Sequence, residues 1–93
     1  MEVLQKIQQR VIDKRYYLSA HAEEEMWADG LEREDVEHCL LRCFIEKKMT
    51  KDWRGTRYRL EGPARDGRQM RLICRFHETR DLIIVTLYVL EDE

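Results

Sequence analysis

One histidine stands in the stretch "SAHAEEEMWADGL", where His21 is followed by three consecutive glutamates and then an aspartate. An imidazole gains and loses a proton near neutral pH, which makes His21 a candidate for acid–base work. The Tyr88 hydroxyl, in "LIIVTLYVL", is a second group able to transfer a proton. Arginines recur at alternate positions in "RYRLEG" and "RQMRLICRF", giving Arg57, Arg59, Arg71 and Arg75, with Tyr58 between the first two. Guanidinium groups stabilise the charge that develops on phosphate oxygens in a transition state. RNA cleavage through the 2′-oxygen needs a base near that oxygen, an acid at the leaving oxygen and cations around the phosphate. His21 or Tyr88 supplies the proton transfer, and the four arginines supply the clamp.

Each candidate also has a plainer role. Glu25 lies one helical turn from His21 and Asp29 another turn on, and both carboxylates repel phosphate. At a helix start the His21 ring can instead contact a carbonyl or pack under a sheet, with Thr86 or Tyr88 as partner. Tyr88 can be a core residue with its hydroxyl at the rim, and Tyr58 reads first as packing. Two groups carry metal-ligand types: His21, Glu25 and Asp29, and His38, Cys39 and Cys43. Neither has the paired spacing and distant second pair of a zinc site, so no metal or other cofactor is expected.

Size and charge bound these readings. A chain of 93 residues makes one domain, 1–93. Cys39, Cys43 and Cys74 are an odd set that suits reduced thiols, and "MEVLQKIQQRVIDKR" has no apolar leader segment. Cytoplasmic residence is the expectation, without a membrane span. Net charge is only −2, but from Tyr16 to Met49 nine acids face four bases, and from Thr56 to Arg80 seven arginines face three acids. A polarised chain can present one basic face while staying near neutral overall.

The elements that must position these groups follow from periodicity. Val3, Leu4, Ile7, Val11 and Ile12 form a helical stripe. Ser19 is an N-cap for a second helix, which Asp29-Gly30 ends; Val36, Cys39, Leu40 and Cys43 mark a third. The period then shortens to two through "FIEKKMT", "TRYRLEG" and "RQMRLICRF", and "LIIVTLYVL" reads as a buried strand. "KDWRG", "GPARDG" and "HETRD" supply the turns. The expected fold is α+β: short N-terminal helices packed on a four-stranded antiparallel meander. In that register Met70, Leu72, Cys74 and Phe76 face the helices. Arg57, Arg59, Arg71 and Arg75 then share the opposite face, as a phosphate-binding platform or as paired surface charges. Trp27 and Trp53 are candidates either for exposed partner anchors or for a core or sheet-edge role.

The ordered set "LSAHAEEEMWADGLEREDVEHCLL", "RYRLEG", "DGRQMRLICRF" and "LIIVTLYVL" resembles a bacterial domain-of-unknown-function family related to the RelE and BrnT-like toxins. The resemblance spans roughly Tyr16 to Val89. It implies a RelE-like fold and, for some relatives, a ribonuclease toxin held inactive by a cognate antitoxin. The matching positions are His21, Arg57 or Tyr58, Arg71 or Arg75, and Tyr88. Glu25 and Asp29 stand where better-known relatives carry arginine. The expected function is therefore the toxin-like component of a type II toxin–antitoxin pair, cleaving RNA without a metal. The expected catalytic residues are His21, Tyr88, Arg71 and Arg75, with Arg57, Arg59 and Tyr58 on the RNA. Expected partners are the antitoxin, RNA or ribosome-bound mRNA, and a second copy. The alternative is a catalytically inactive, protein-binding module on the same fold.

Overall fold

The computed structural model describes residues 2–50, 53 and 55–91. Its elements run α1 (Val3–Ile12), β1 (Tyr16–Leu18), α2 (Ala20–Ala28), α3 (Arg33–Leu40), β2 (Phe44–Met49), β3 (Arg57–Pro63), β4 (Gln69–Phe76) and β5 (Leu82–Val89). Within the expected "KDWRG" turn, Lys51, Asp52 and Arg54 lie outside the described residues, as do the terminal acids Asp92 and Glu93.

The expectation of four antiparallel strands is corrected. The sheet has five strands in the order β1-β5-β4-β3-β2, and β1 pairs with β5 in parallel. Three residues are too few to show a period in sequence, and β1 runs directly into the Ser19 cap. Its alternation is nevertheless correct for a half-buried strand: Tyr16 and Leu18 are buried, and Tyr17 is exposed. The remaining pairings, β2–β3, β3–β4 and β4–β5, are antiparallel hairpin neighbours.

Helix ends follow their local chemistry. The Ser19 hydroxyl accepts the Ala22 amide at 3.0 Å and starts α2. Gly30 ends α2 with φ 68°; the Leu31 amide donates to the Met26 carbonyl, and both side chains are buried beneath the turn. The same geometry ends α1, with Lys14 at φ 58° and the Arg15 amide reaching the Arg10 carbonyl. The turn between α1 and β1 thus places a non-glycine residue in the left-handed region.

The core lies between the three helices and one face of the sheet. Met70, Leu72 and Cys74 are fully buried as expected, with Phe76 partly buried at the strand end. Tyr58, Leu60 and Gly62 of β3 share that face. Gly62 is required by close approach, because a Cβ there would lie 3.0 Å from both the Cys39 carbonyl oxygen and the Cys43 Cα. The missing side chain lets α3 and its C-terminal turn sit directly on β3. Cys39 and Cys43 serve as small core residues, and burial pushes their thiols up to about 12 and about 11. Among the described residues no helix is long and apolar enough to cross a membrane.

Candidate functional site

With the helices on one side, the outward positions of β2 to β5 make the opposite face. Arg57 and Arg59 alternate with the buried Tyr58 and Leu60, and Arg71, Ile73 and Arg75 alternate with Leu72 and Cys74. The cross-strand partners are Arg59 with Ile73, Glu61 with Arg71, and Arg71 with Tyr88. Two register shifts flank this patch. One lies on β2, where Glu46 is the extra residue opposite Arg59; the other lies on β5 beside Val85. A bulge puts two residues against one and re-aims a side chain. Here it brings the Glu46 carboxylate onto Arg59, where it accepts a short hydrogen bond from the guanidinium Nε.

The result is a compact charged cluster. Arg71 Nε donates to Glu61 Oε1 at 2.8 Å, and Arg59 is bound by Glu46. Glu61 first and Tyr88 second hold the Arg71 guanidinium in its protonated form. Glu46 does the same for Arg59, with Tyr88 adding a smaller electrostatic contribution. In return, the Arg59 hydrogen bond keeps the Glu46 carboxyl below its usual range, helped by the charges of Arg71 and Lys47. Side-chain exposure is 17–28% for Arg59, Glu46, Arg71 and Glu61, so all four remain reachable from solvent.

Not every expected site residue joins it. Arg59, Arg71 and Tyr88 come together, with Arg57 on the same strand face. Arg75 lies four residues along β4 from Arg71, opposite Ile83 at the other end of the strand. Tyr58 is buried on the helix side, pointing away from its arginine neighbours. His21 sits on α2 with its side chain 68% exposed, and its Nε2 lies 3.2 Å from Glu25 Oε1. The same Glu25 oxygen accepts the Leu87 amide at 3.2 Å and a short hydrogen bond from the Thr86 hydroxyl. The imidazole therefore meets a carboxylate that is itself tied to β5.

Glu46 and Glu61 are the cluster members that sequence reasoning missed. The imperfect alternation in "FIEKKM" was the available signal, because a break in period within a strand marks a bulge. Chemically, the cluster offers two guanidinium groups, two carboxylates and a phenol within one patch. The carboxylates can accept protons, the phenol can donate one, and the guanidiniums can bind a phosphate. Among the described residues no three His, Cys, Asp or Glu side chains form a metal-ligand group.

Comparison with known proteins gives one family. Residues 18–89 match the domain of unknown function DUF4258, and the chain belongs to that family. No curated protein and no solved structure matches it.

Proposed function

We propose that this DUF4258 chain is the toxin-like member of a type II toxin–antitoxin pair with a RelE/BrnT-like fold. In this reading it cleaves RNA without a metal at Glu46, Arg59, Arg71 and Tyr88. The observation that carries the proposal is the convergence of Arg59, Arg71 and Tyr88 with the bulged Glu46 on an open sheet face. An incoming phosphate competes with the carboxylates for Arg59 and Arg71. Releasing Glu46 from Arg59 removes what depresses its proton affinity, so the carboxylate becomes a better base as substrate binds. Glu46 takes the 2′-hydroxyl proton, and the 2′-oxygen attacks the adjacent phosphorus. Tyr88 gives its proton to the departing 5′-oxygen. The products are a 2′,3′-cyclic phosphate and a 5′-hydroxyl end, and Arg59 and Arg71 stabilise the charge that builds between them. His21 stands outside this chemistry. The reading carries with it a cytosolic address, a cognate antitoxin, RNA or ribosome-bound mRNA as substrate, and self-association.

One observation favours the alternative of a non-catalytic protein-binding module: Arg59 and Arg71 each already engage a carboxylate. Incubating purified protein with a mixed-sequence ribo-oligonucleotide pool and with translating ribosomes separates the two. Cleavage that resists chelators, fails on 2′-deoxy substrate and falls about 100-fold or more in Glu46→Gln, Arg71→Ala and Tyr88→Phe supports the nuclease. Intact RNA in both assays, with normal growth on induced expression, supports the binding module.

A further inference from the structure

The other face of β3 carries a different kind of site. A groove of about 650 Å³ opens between α1 and the helix-side face of the sheet, lined by Val3, Lys6, Arg10, Tyr58, Phe76 and Arg80. That volume lies within the range of small-molecule sites. We propose that this groove binds a nucleotide, with the phosphate on Lys6, Arg10 and Arg80 and the base against Phe76 and the edge of Tyr58.

Three observations support it. Lys6 and Arg10 are one helical turn apart on α1, and Arg80 reaches the same groove from the β4–β5 turn. Among the described residues none of these three forms an ion pair with a carboxylate, whereas Arg15, Arg59, Arg65, Arg68 and Arg71 all do. Three cations left without carboxylates around one cavity suit a phosphate, which accepts several charge-assisted hydrogen bonds at once. Second, Arg80 adopts φ 70°, a backbone conformation that favours glycine. The turn keeps it there through the His77 and Asp81 backbone bonds, and the Arg80 carbonyl accepts Arg10 Nε at 2.8 Å. The turn thus fixes the Arg80 backbone and ties it to Arg10, a second arginine of the groove. Third, the groove also has an aromatic lining, the partly exposed Phe76 and the edge of the buried Tyr58. An acidic peptide would satisfy the cations but gain little from that lining. A base gains stacking, which is tolerant of sequence.

Because Tyr58 faces opposite to Arg57 and Arg59, this site and the Glu46 cluster are separable. Calorimetric titration of the full chain with ADP, GDP, inorganic phosphate, a short 5′-phosphorylated oligoadenylate and hexaglutamate tests it, with amide chemical shifts to locate the site. A dissociation constant below about 1 mM is expected for ADP or the oligonucleotide. Lys6→Gln and Arg80→Gly should each weaken it at least about fivefold, one lost charge-assisted bond apiece. Phe76→Leu should weaken ADP binding and leave inorganic phosphate unchanged, and Glu46→Gln should change neither. Arg80→Gly relieves the left-handed backbone, so it retains the fold, and circular dichroism confirms this for every variant. ADP tighter than the oligonucleotide identifies a free nucleotide; the reverse identifies an RNA 5′ end. No binding at millimolar nucleotide, binding indifferent to Lys6 and Arg80, or hexaglutamate binding more tightly than ADP would overturn the proposal.

Discussion

The Glu25 carboxylate of α2 accepts the Leu87 backbone amide of β5 at 3.2 Å, just past the point where β1 stops pairing with that strand. The β1–β5 register ends at Leu18 with Ile84, and the Ser19 amide and hydroxyl take the Ile84 and Val85 carbonyls. Beyond this, β5 would be an open edge with a donor facing water. Glu25 closes it, using the same oxygen to hold Thr86 and to meet His21. An acid at this position is thus a structural tie between helix and sheet.

Removing that tie and removing the histidine should therefore differ. Glu25→Ala leaves a part-buried amide without its acceptor and should cost about 1–3 kcal/mol in urea unfolding. His21→Ala, at an exposed site, should stay within about 0.5 kcal/mol. It should also leave RNA cleavage, where observed, unchanged. Equal loss in both variants would argue against the edge-closing role.

Among the described residues Asp35 is the buried carboxylate. It caps the Glu32 amide at 2.8 Å and accepts the Arg65 amide and guanidinium, joining α3 to the β3–β4 turn. The Arg65 hydrogen bonds hold its carboxyl at about 2, from an ordinary 3.8, against the opposing effect of burial. A depressed folded-state value contributes stability above the unfolded value that is lost as pH falls through the folded one. Wild-type stability should drop between about pH 4 and pH 2, and Asp35→Asn should flatten that part of the profile. Following thermal unfolding across this range checks it.

Tyr16 behaves in the opposite sense at high pH. Its hydroxyl donates to Glu37 Oε2 at 2.6 Å, and Arg33 lies 4.8 Å over its ring. Burial first, and then the bond to Glu37, push the phenol up to about 12 from 10.0. The contribution is complete below the unfolded value and fades as pH rises through the folded one. Ultraviolet titration should show one tyrosine ionising near pH 12, absent in Tyr16→Phe, and stability declining from about pH 10 upward.

Gly62→Ala puts a methyl group against the α3 backbone and the Cys43 Cα, neither of which is a flexible side-chain end. The expected cost is about 1–3 kcal/mol, from overpacking at the helix–strand contact. Gly67→Ala provides the contrast: its Cβ would meet nothing within 4 Å, although φ 90° adds backbone strain. The Cβ at Gly62 would also lie 3.1 Å from Cys39 Sγ, so if packing governs Gly62, Cys39→Ala should recover part of its loss and none of the loss at Gly67.

Much of the architecture was readable from local chemistry. The Ser19 cap, the Gly30 stop, the helical stripe through Ile7 and Val11, and the inward set Met70, Leu72 and Cys74 depend on neighbours within a few residues. So does the sharing of one face by Arg57, Arg59 and Arg71, once each strand alternates. Trp27 and Trp53, for which the sequence left a surface and a core or sheet-edge position both open, are exposed.

What the chain alone determined is the type of each element and the side of it each residue occupies, because a period of two or 3.6 is a property of a single segment. Only the tertiary structure decided which segments meet. The parallel partnership of β1 and β5 joins residues more than sixty positions apart, and three residues carry too little pattern to announce it. The assignment of Glu25 to Leu87, and of Glu46 to Arg59, likewise depends on where an edge falls and where a bulge slips the register. A carboxylate has the same chemistry wherever it stands. Across β5 it ties a helix to a strand; beside Arg59 it becomes part of a charged cluster, and the packing of distant segments makes that difference.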